Sequence, residues 1–119
     1  MQFLLMCCSE SAHWSALPQT ERDEVMRDYE QWVQDHVASG HYVTGGKLDE
    51  SDTASTLRER NGKMKIVDGP FSEAKEQIGG YHVIECRDRD EAIAIARKIP
   101  TLRAGSSVEV RQLLFQTGT

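Results

Sequence analysis

The chain has 119 residues, which suits one domain (residues 1–119) and is too short for two of ordinary size. Its 39% apolar and 28% charged residues exclude a disordered chain, and a domain of this length needs neither disulfide nor metal to hold together. A net charge of −5, with Lys and Arg scattered beside acids, argues against nucleic acid and against anionic membranes, because both need clustered cations.

Phe3-Leu4-Leu5-Met6-Cys7-Cys8 is apolar on both faces and predicts a buried central strand. A polar loop broken by Pro18 follows. Thr20, ahead of Glu21 and Asp23, predicts an N-cap with acids in the first turn. Val25, Met26, Tyr29, Trp32, Val33, His36 and Val37 then recur at helical spacing up to Gly40. His41 to Thr44 reads as a strand ending at Gly45-Gly46. Thr56 to Arg60, Asn61-Gly62 and Lys63 to Val67 spell a β-hairpin with a type I′ turn, placing Arg60 opposite Lys63 and Arg58 opposite Lys65. Tyr81 to Cys86 is the next strand. Asp88 caps a second helix with Glu91 three residues on, and Pro100 stops it after Ile99. Val108 to Phe115 is the last strand.

Without the hairpin, this order is the βαββαβ unit of ferredoxin-like α+β domains. Two helices cover one face of such a sheet. The apolar second face then calls for another copy of the chain, so a homodimer through the sheet faces is expected.

Cys7 and Cys8 are adjacent on a strand and point to opposite faces, which suits neither a disulfide nor a CxxC metal site. With Cys86 they read as free, buried thiols of a reducing compartment. Met1 to Cys8 lacks a basic leader region, and no apolar run approaches membrane-spanning length, so a cytoplasmic location is expected. His13, His36, His41 and His82 show no metal-binding spacing, and no dinucleotide or phosphate loop is present. Neither metal nor cofactor is expected.

Asp68-Gly69-Pro70-Phe71, running on through Ser72-Glu73-Ala74-Lys75-Glu76-Gln77-Ile78-Gly79-Gly80 to Tyr81, resembles the signature of the DGPF branch of YCII-related proteins. Trp14, Thr56-Leu57-Arg58 and the stretch from Gly105 to Glu109-Val110-Arg111 fit the same family, so the likeness spans the chain. The resemblance implies a dimeric α+β barrel of loosely defined function. Some of its enzymes act on small aromatic or chlorinated substrates through a His near the start of the first helix and an Asp just before a Pro after the second. The matching positions here hold Tyr29 and Ile99, which cannot run that chemistry at neutral pH. DGPF proteins are also associated with extracytoplasmic-function sigma factors, which implies a regulatory alternative.

Strand alternation sends Val108, Val110 and Leu114 toward the helices, and Glu109, Arg111 and Leu113 toward the cleft between sheets. In a cleft for a small anionic or aromatic molecule, Arg111 would then anchor an anionic ligand while Glu109 orients it or accepts a proton; the bland alternative is that the two pair with charges on this chain or its dimer mate and seal the interface. Asp68 and Phe71 read first as a structural turn, with Phe71 plugging the core. Glu73, Lys75 and Glu76 could overhang the cleft, Arg58 could pair with Asp68 or Glu76, and His82 is a satisfied structural histidine or a cleft group. Three readings compete: a small-molecule binding domain with or without a reaction, a non-enzymatic regulatory or docking module, and a purely structural oligomer.

Overall fold

A computed structural model describes residues 1–115. Its elements are β1 (Gln2–Ser9), α1 (Ser11–Ala16), α2 (Gln19–Ala38), β2 (Tyr42–Lys47), β3 (Ser55–Arg60), β4 (Lys63–Asp68), β5 (Gln77–Glu85), α3 (Arg89–Ala96) and β6 (Ser107–Leu113), with short 3₁₀ turns at Ser51–Thr53 and Pro100–Ala104. Four strands form one antiparallel sheet in the order β2-β5-β1-β6, and β3 pairs only with β4. The first strand therefore lies at the centre, where a run apolar on both faces belongs. This is the ferredoxin-like α+β arrangement with an inserted hairpin.

Alternation divides the sheet. Phe3 and Leu5 of β1, with Ile84 of β5, point to the helices and are almost fully buried. They pack with Trp32 of α2, with Ala92, Ile95 and Ala96 of α3, and with Ile99. Phe3, Leu5, Ile84, Ile95 and Ile99 each contribute about 1.5–3 kcal/mol of burial. Trp32 is fixed further, because its indole N–H donates to the Ile95 carbonyl at 3.1 Å. On the other face, Met6 pairs with Tyr81 on one side and Glu109 on the other, and Leu4 with Val83 and Arg111.

Several boundaries depart from the expected ones. Helix α2 is entered from Pro18, whose carbonyl accepts from the Arg22 N–H at 3.0 Å, so Thr20 is inside the helix and caps nothing. Proline fits there because it has no N–H to leave unpaired. The stretch read as a polar loop contains α1. β2 runs through Gly45-Gly46 to Lys47 because β5 supplies a partner along its length. β6 stops at Leu113; Leu114 is 87% exposed, and Gln112, opposite Phe3, takes the third helix-side position while staying exposed. The second-helix cap is as expected, with Asp88 accepting from the Glu91 N–H at 2.9 Å.

The hairpin has the expected register, Arg60 opposite Lys63 and Arg58 opposite Lys65. Asn61 and Gly62 turn it with φ of 53° and 75°, the left-handed pair a type I′ turn requires. It stands off as an arm. The radius of gyration is 16.2 Å, against about 13–14 Å for a compact chain of this length.

Candidate functional site

A cavity of about 460 Å³ opens at one end of the sheet, on the helix side, beneath α1 and beside α2. Its polar floor is built by residues from four elements: Cys7 of β1, Tyr29 of α2, Tyr42 of β2 and His82 of β5. His82 is the charged-type side chain most deeply placed among the described residues, at 5% exposure. Both of its ring nitrogens are engaged. Nε2 meets the Tyr29 hydroxyl, and Nδ1 meets the Tyr42 hydroxyl at 2.7 Å. The Cys7 Sγ lies 3.6 Å from the Tyr29 hydroxyl, and the Trp32 ring, tilted by 57°, has its centroid 5.0 Å from that of the imidazole.

The backbone makes this meeting possible. A bulge between Tyr42 and Thr44 swings β2 so that Gly45 faces His82 directly. The Tyr42 hydroxyl fills the space that a side chain at position 45 would need. A Cβ on Gly45 would sit 2.0 Å from that hydroxyl oxygen, 2.8 Å from His82 Nδ1 and 2.8 Å from the Tyr81 carbonyl. A second bulge, at Cys7/Cys8, lies on the same floor.

Burial sets the protonation of the group. It lowers the His82 pKa to about 4, so the imidazole is neutral at physiological pH. Burial also raises the Tyr29 and Tyr42 phenols above their usual range, with the nearby Cys7 thiol the next cause for each. The Cys7 thiol is itself pushed up, chiefly by burial. The floor is therefore uncharged and hydroxyl-rich. Across the cavity, the lining residues Thr101 and Ser106 hold buried hydroxyl oxygens with no hydrogen-bond partner among the described residues. Gly105, at φ +90°, brings the turn against His13 of α1: a Cβ there would lie 2.5 Å from His13 Nε2. Ser11 donates to the Glu50 carboxylate at 2.9 Å, tying the other side of α1 down.

Of the ligand-binding candidates chosen from the sequence, His82 alone lines this cavity. Glu109 and Arg111 lie on the opposite face of the sheet, as alternation predicts, where they pair with each other and stay largely exposed. Arg58 reaches neither Asp68 nor Glu76; its guanidinium stacks 5.1 Å over the Phe71 ring. Phe71, expected to plug the core, is 76% exposed, because the turn after β4 runs beside the arm and not under the sheet. Asp68 ends β4, opposite Ser55. Glu73 and Lys75 lie in the exposed loop before β5, and Glu76 accepts from the Ser107 hydroxyl at 3.0 Å. Cys7 and Cys8 are half-buried and only Cys86 is fully so; all three are free. Tyr29 is a cavity residue and not simply core. What escapes the sequence is the grouping, since Tyr29 and His82 are 53 positions apart and Tyr42 and His82 are 40.

Comparison with known proteins decides the family. The family model of the YCII-related domain matches residues 1–115. The chain belongs to the YCII-related family. An uncharacterised protein of Rhizobium meliloti (strain 1021) is 33% identical to this YCII-related chain over 120 residues, covering 99% of it and 97% of the relative. Among solved structures, the fold is similar to that of 5-chloro-2-hydroxyhydroquinone dehydrochlorinase (TftG) from Burkholderia phenoliruptrix, in complex with 2,5-dihydroxybenzoquinone. The TM-score is 0.56 at 16% identity, over 95% of this chain and 93% of TftG, so the likeness is one of fold. No helix among the described residues is long and apolar enough to cross a membrane.

Proposed function

We propose that this YCII-related protein binds a small ring compound in the cavity under α1, with the Tyr29–His82–Tyr42 group as the polar floor that orients it and can exchange protons with it. The observation that carries this reading is a neutral, buried imidazole with both nitrogens held by hydroxyls that line a 460 Å³ cavity. A histidine placed only to fill a core would not need a bulged strand and a glycine opposite to admit the second tyrosine. The volume is in the range of small-molecule sites. That TftG, of the same fold, is seen with a dihydroxybenzoquinone lends support to an oxygenated ring. Tyr29 stands where the resemblance places the family's histidine, and His82 brings an imidazole to the same hydroxyl from another strand.

Thermal unfolding and calorimetry with hydroquinone, 2,5-dihydroxybenzoquinone and phenol test the reading. A ligand at a hundred times its Kd stabilises by about 2.7 kcal/mol. Tyr29→Phe and Tyr42→Phe, which keep the rings, should each weaken that stabilisation. If no ring compound raises the melting temperature, the reading fails.

The proposal includes a homodimer through the sheet faces. Half-buried Leu4, Met6, Cys8 and Tyr81 occupy the uncovered face together with the Glu109–Arg111 pair, and a second copy would bury them. Light scattering should return twice the chain mass. The free thiols support a reducing, cytoplasmic setting. One observation favours the docking alternative. On the arm, Leu57, Met64, Ile66 and Val67 are each more than half exposed, as a contact surface for a protein such as a sigma factor would be. Co-purification of an extracytoplasmic-function sigma factor that is lost when Leu57 and Ile66 become Asp would favour it.

A further inference from the structure

We infer that the cavity selects a neutral ring ligand that offers one hydroxyl hydrogen and one acceptor oxygen, such as a hydroxyketone, over a ligand with acceptor oxygens alone. The inference rests on the binding reading above and follows from counting hydrogens.

The Tyr29–His82–Tyr42 group holds three exchangeable hydrogens when the imidazole is neutral: one on each phenol and one on the ring. Its two internal hydrogen bonds, at Nε2 and at Nδ1, consume two of them. One nitrogen must donate and the other must accept. The tyrosine that receives the ring N–H keeps its own hydrogen for an outside acceptor. The tyrosine that gives its hydrogen to the ring has only lone pairs left. The pair of hydroxyls thus presents one donor and one acceptor to the cavity, never two donors. The other neutral tautomer of His82, reached by proton exchange with solvent, swaps the two roles, so the ligand can bind in either sense.

Three features support the count. Burial disfavours the imidazolium, which alone would turn both tyrosines into donors. The Tyr42 contact is built into the backbone, because Gly45 leaves room for that hydroxyl and for nothing more. Cys7, the remaining polar group beside Tyr29, is held as a thiol and is a weak partner at 3.6 Å, so it competes poorly with a ligand oxygen. The bias against an anion comes from the rim, where Glu10, Asp49 and Glu50 outnumber Lys47.

Isothermal titration at neutral pH with three probes of one size and a slightly larger anion tests the inference: 4-hydroxycyclohexanone, 1,4-cyclohexanediol, 1,4-cyclohexanedione and the anion 4-oxocyclohexanecarboxylate. The hydroxyketone and the diol, whose hydroxyls serve either role, should bind at least ten-fold more tightly than the dione. The anion should bind no better than the dione. In Tyr42→Phe, and independently in Tyr29→Phe, the ten-fold preference should shrink to within two-fold, because one oxygen of the pair is gone. Equal binding of dione and hydroxyketone by the wild type, or tightest binding of the anion, would overturn the selectivity and leave the cavity-binding reading standing. Failure of all four probes, together with failure of the aromatic set, would remove both.

Discussion

The sheet–helix body and the β3–β4 arm are built on opposite principles. The arm carries the strongest local signal in the chain, an Asn-Gly turn with matched strands, and it folds in the register that signal dictates. It buries almost nothing: Leu57, Met64 and Ile66 are 59%, 58% and 68% exposed. The body has weaker local signals, with an unpredicted first helix and misplaced strand ends, yet Phe3, Leu5, Ile84 and Ile99 are all but sealed from water. Local turn chemistry fixes geometry; burial fixes stability. The site belongs to the body, because only there does burial hold an imidazole neutral against two phenols.

The sharpest way to break this contrast is at Trp32, which is 4% exposed and touches both the core and His82. Trp32→Ala should cost about 3–5 kcal/mol in urea unfolding. A loss below about 1 kcal/mol would show that the body is not the source of stability.

The pH dependence comes next. His82 titrates near 4 in the folded protein and at an ordinary value of 6.5 when unfolded. Between those values the unfolded chain takes up the proton first, so the stability His82 permits is complete above pH 6.5 and is lost as pH falls towards 4. The added slope is at most about 1.4 kcal/mol per pH unit. Urea midpoints measured across that window should fall with pH in the wild type, with a shallower slope in His82→Gln.

A smaller effect sharpens the site itself. Gly45→Ala drives a methyl group into the Tyr42 hydroxyl and should cost about 1–3 kcal/mol. Tyr42→Phe removes the oxygen in the way, so adding it to Gly45→Ala should recover part of that loss, a coupling a double-mutant cycle reads directly. Simple additivity would mean that Gly45 is not fitted to Tyr42. At the bottom of the scale, Ile66→Ala on the arm should change stability by no more than about 0.5 kcal/mol in the monomer. Arm amides should also exchange with solvent faster than those of β1 and β5 by hydrogen-exchange mass spectrometry. Strong protection of the arm would mean that a partner covers it.

How much was legible follows the same division. The sequence by itself determined the order of the strands and of the two helices α2 and α3, the hairpin register at Arg58–Lys65 and Arg60–Lys63, the Asp88–Glu91 cap and the central place of β1, because each depends on neighbours a few residues apart or on an apolar run. It also placed Glu109 and Arg111 on the uncovered face, since alternation is a local rule. Only the tertiary structure decided the site. Candidates chosen for their charge, from Arg58 and Asp68 to Arg111, are dispersed over the arm, a loop and the far face of the sheet. The residues brought together were a histidine, two tyrosines and a glycine, unremarkable one by one. Their meeting depends on the β2–β5 pairing and on the bulge after Tyr42, long-range contacts that no local pattern encodes.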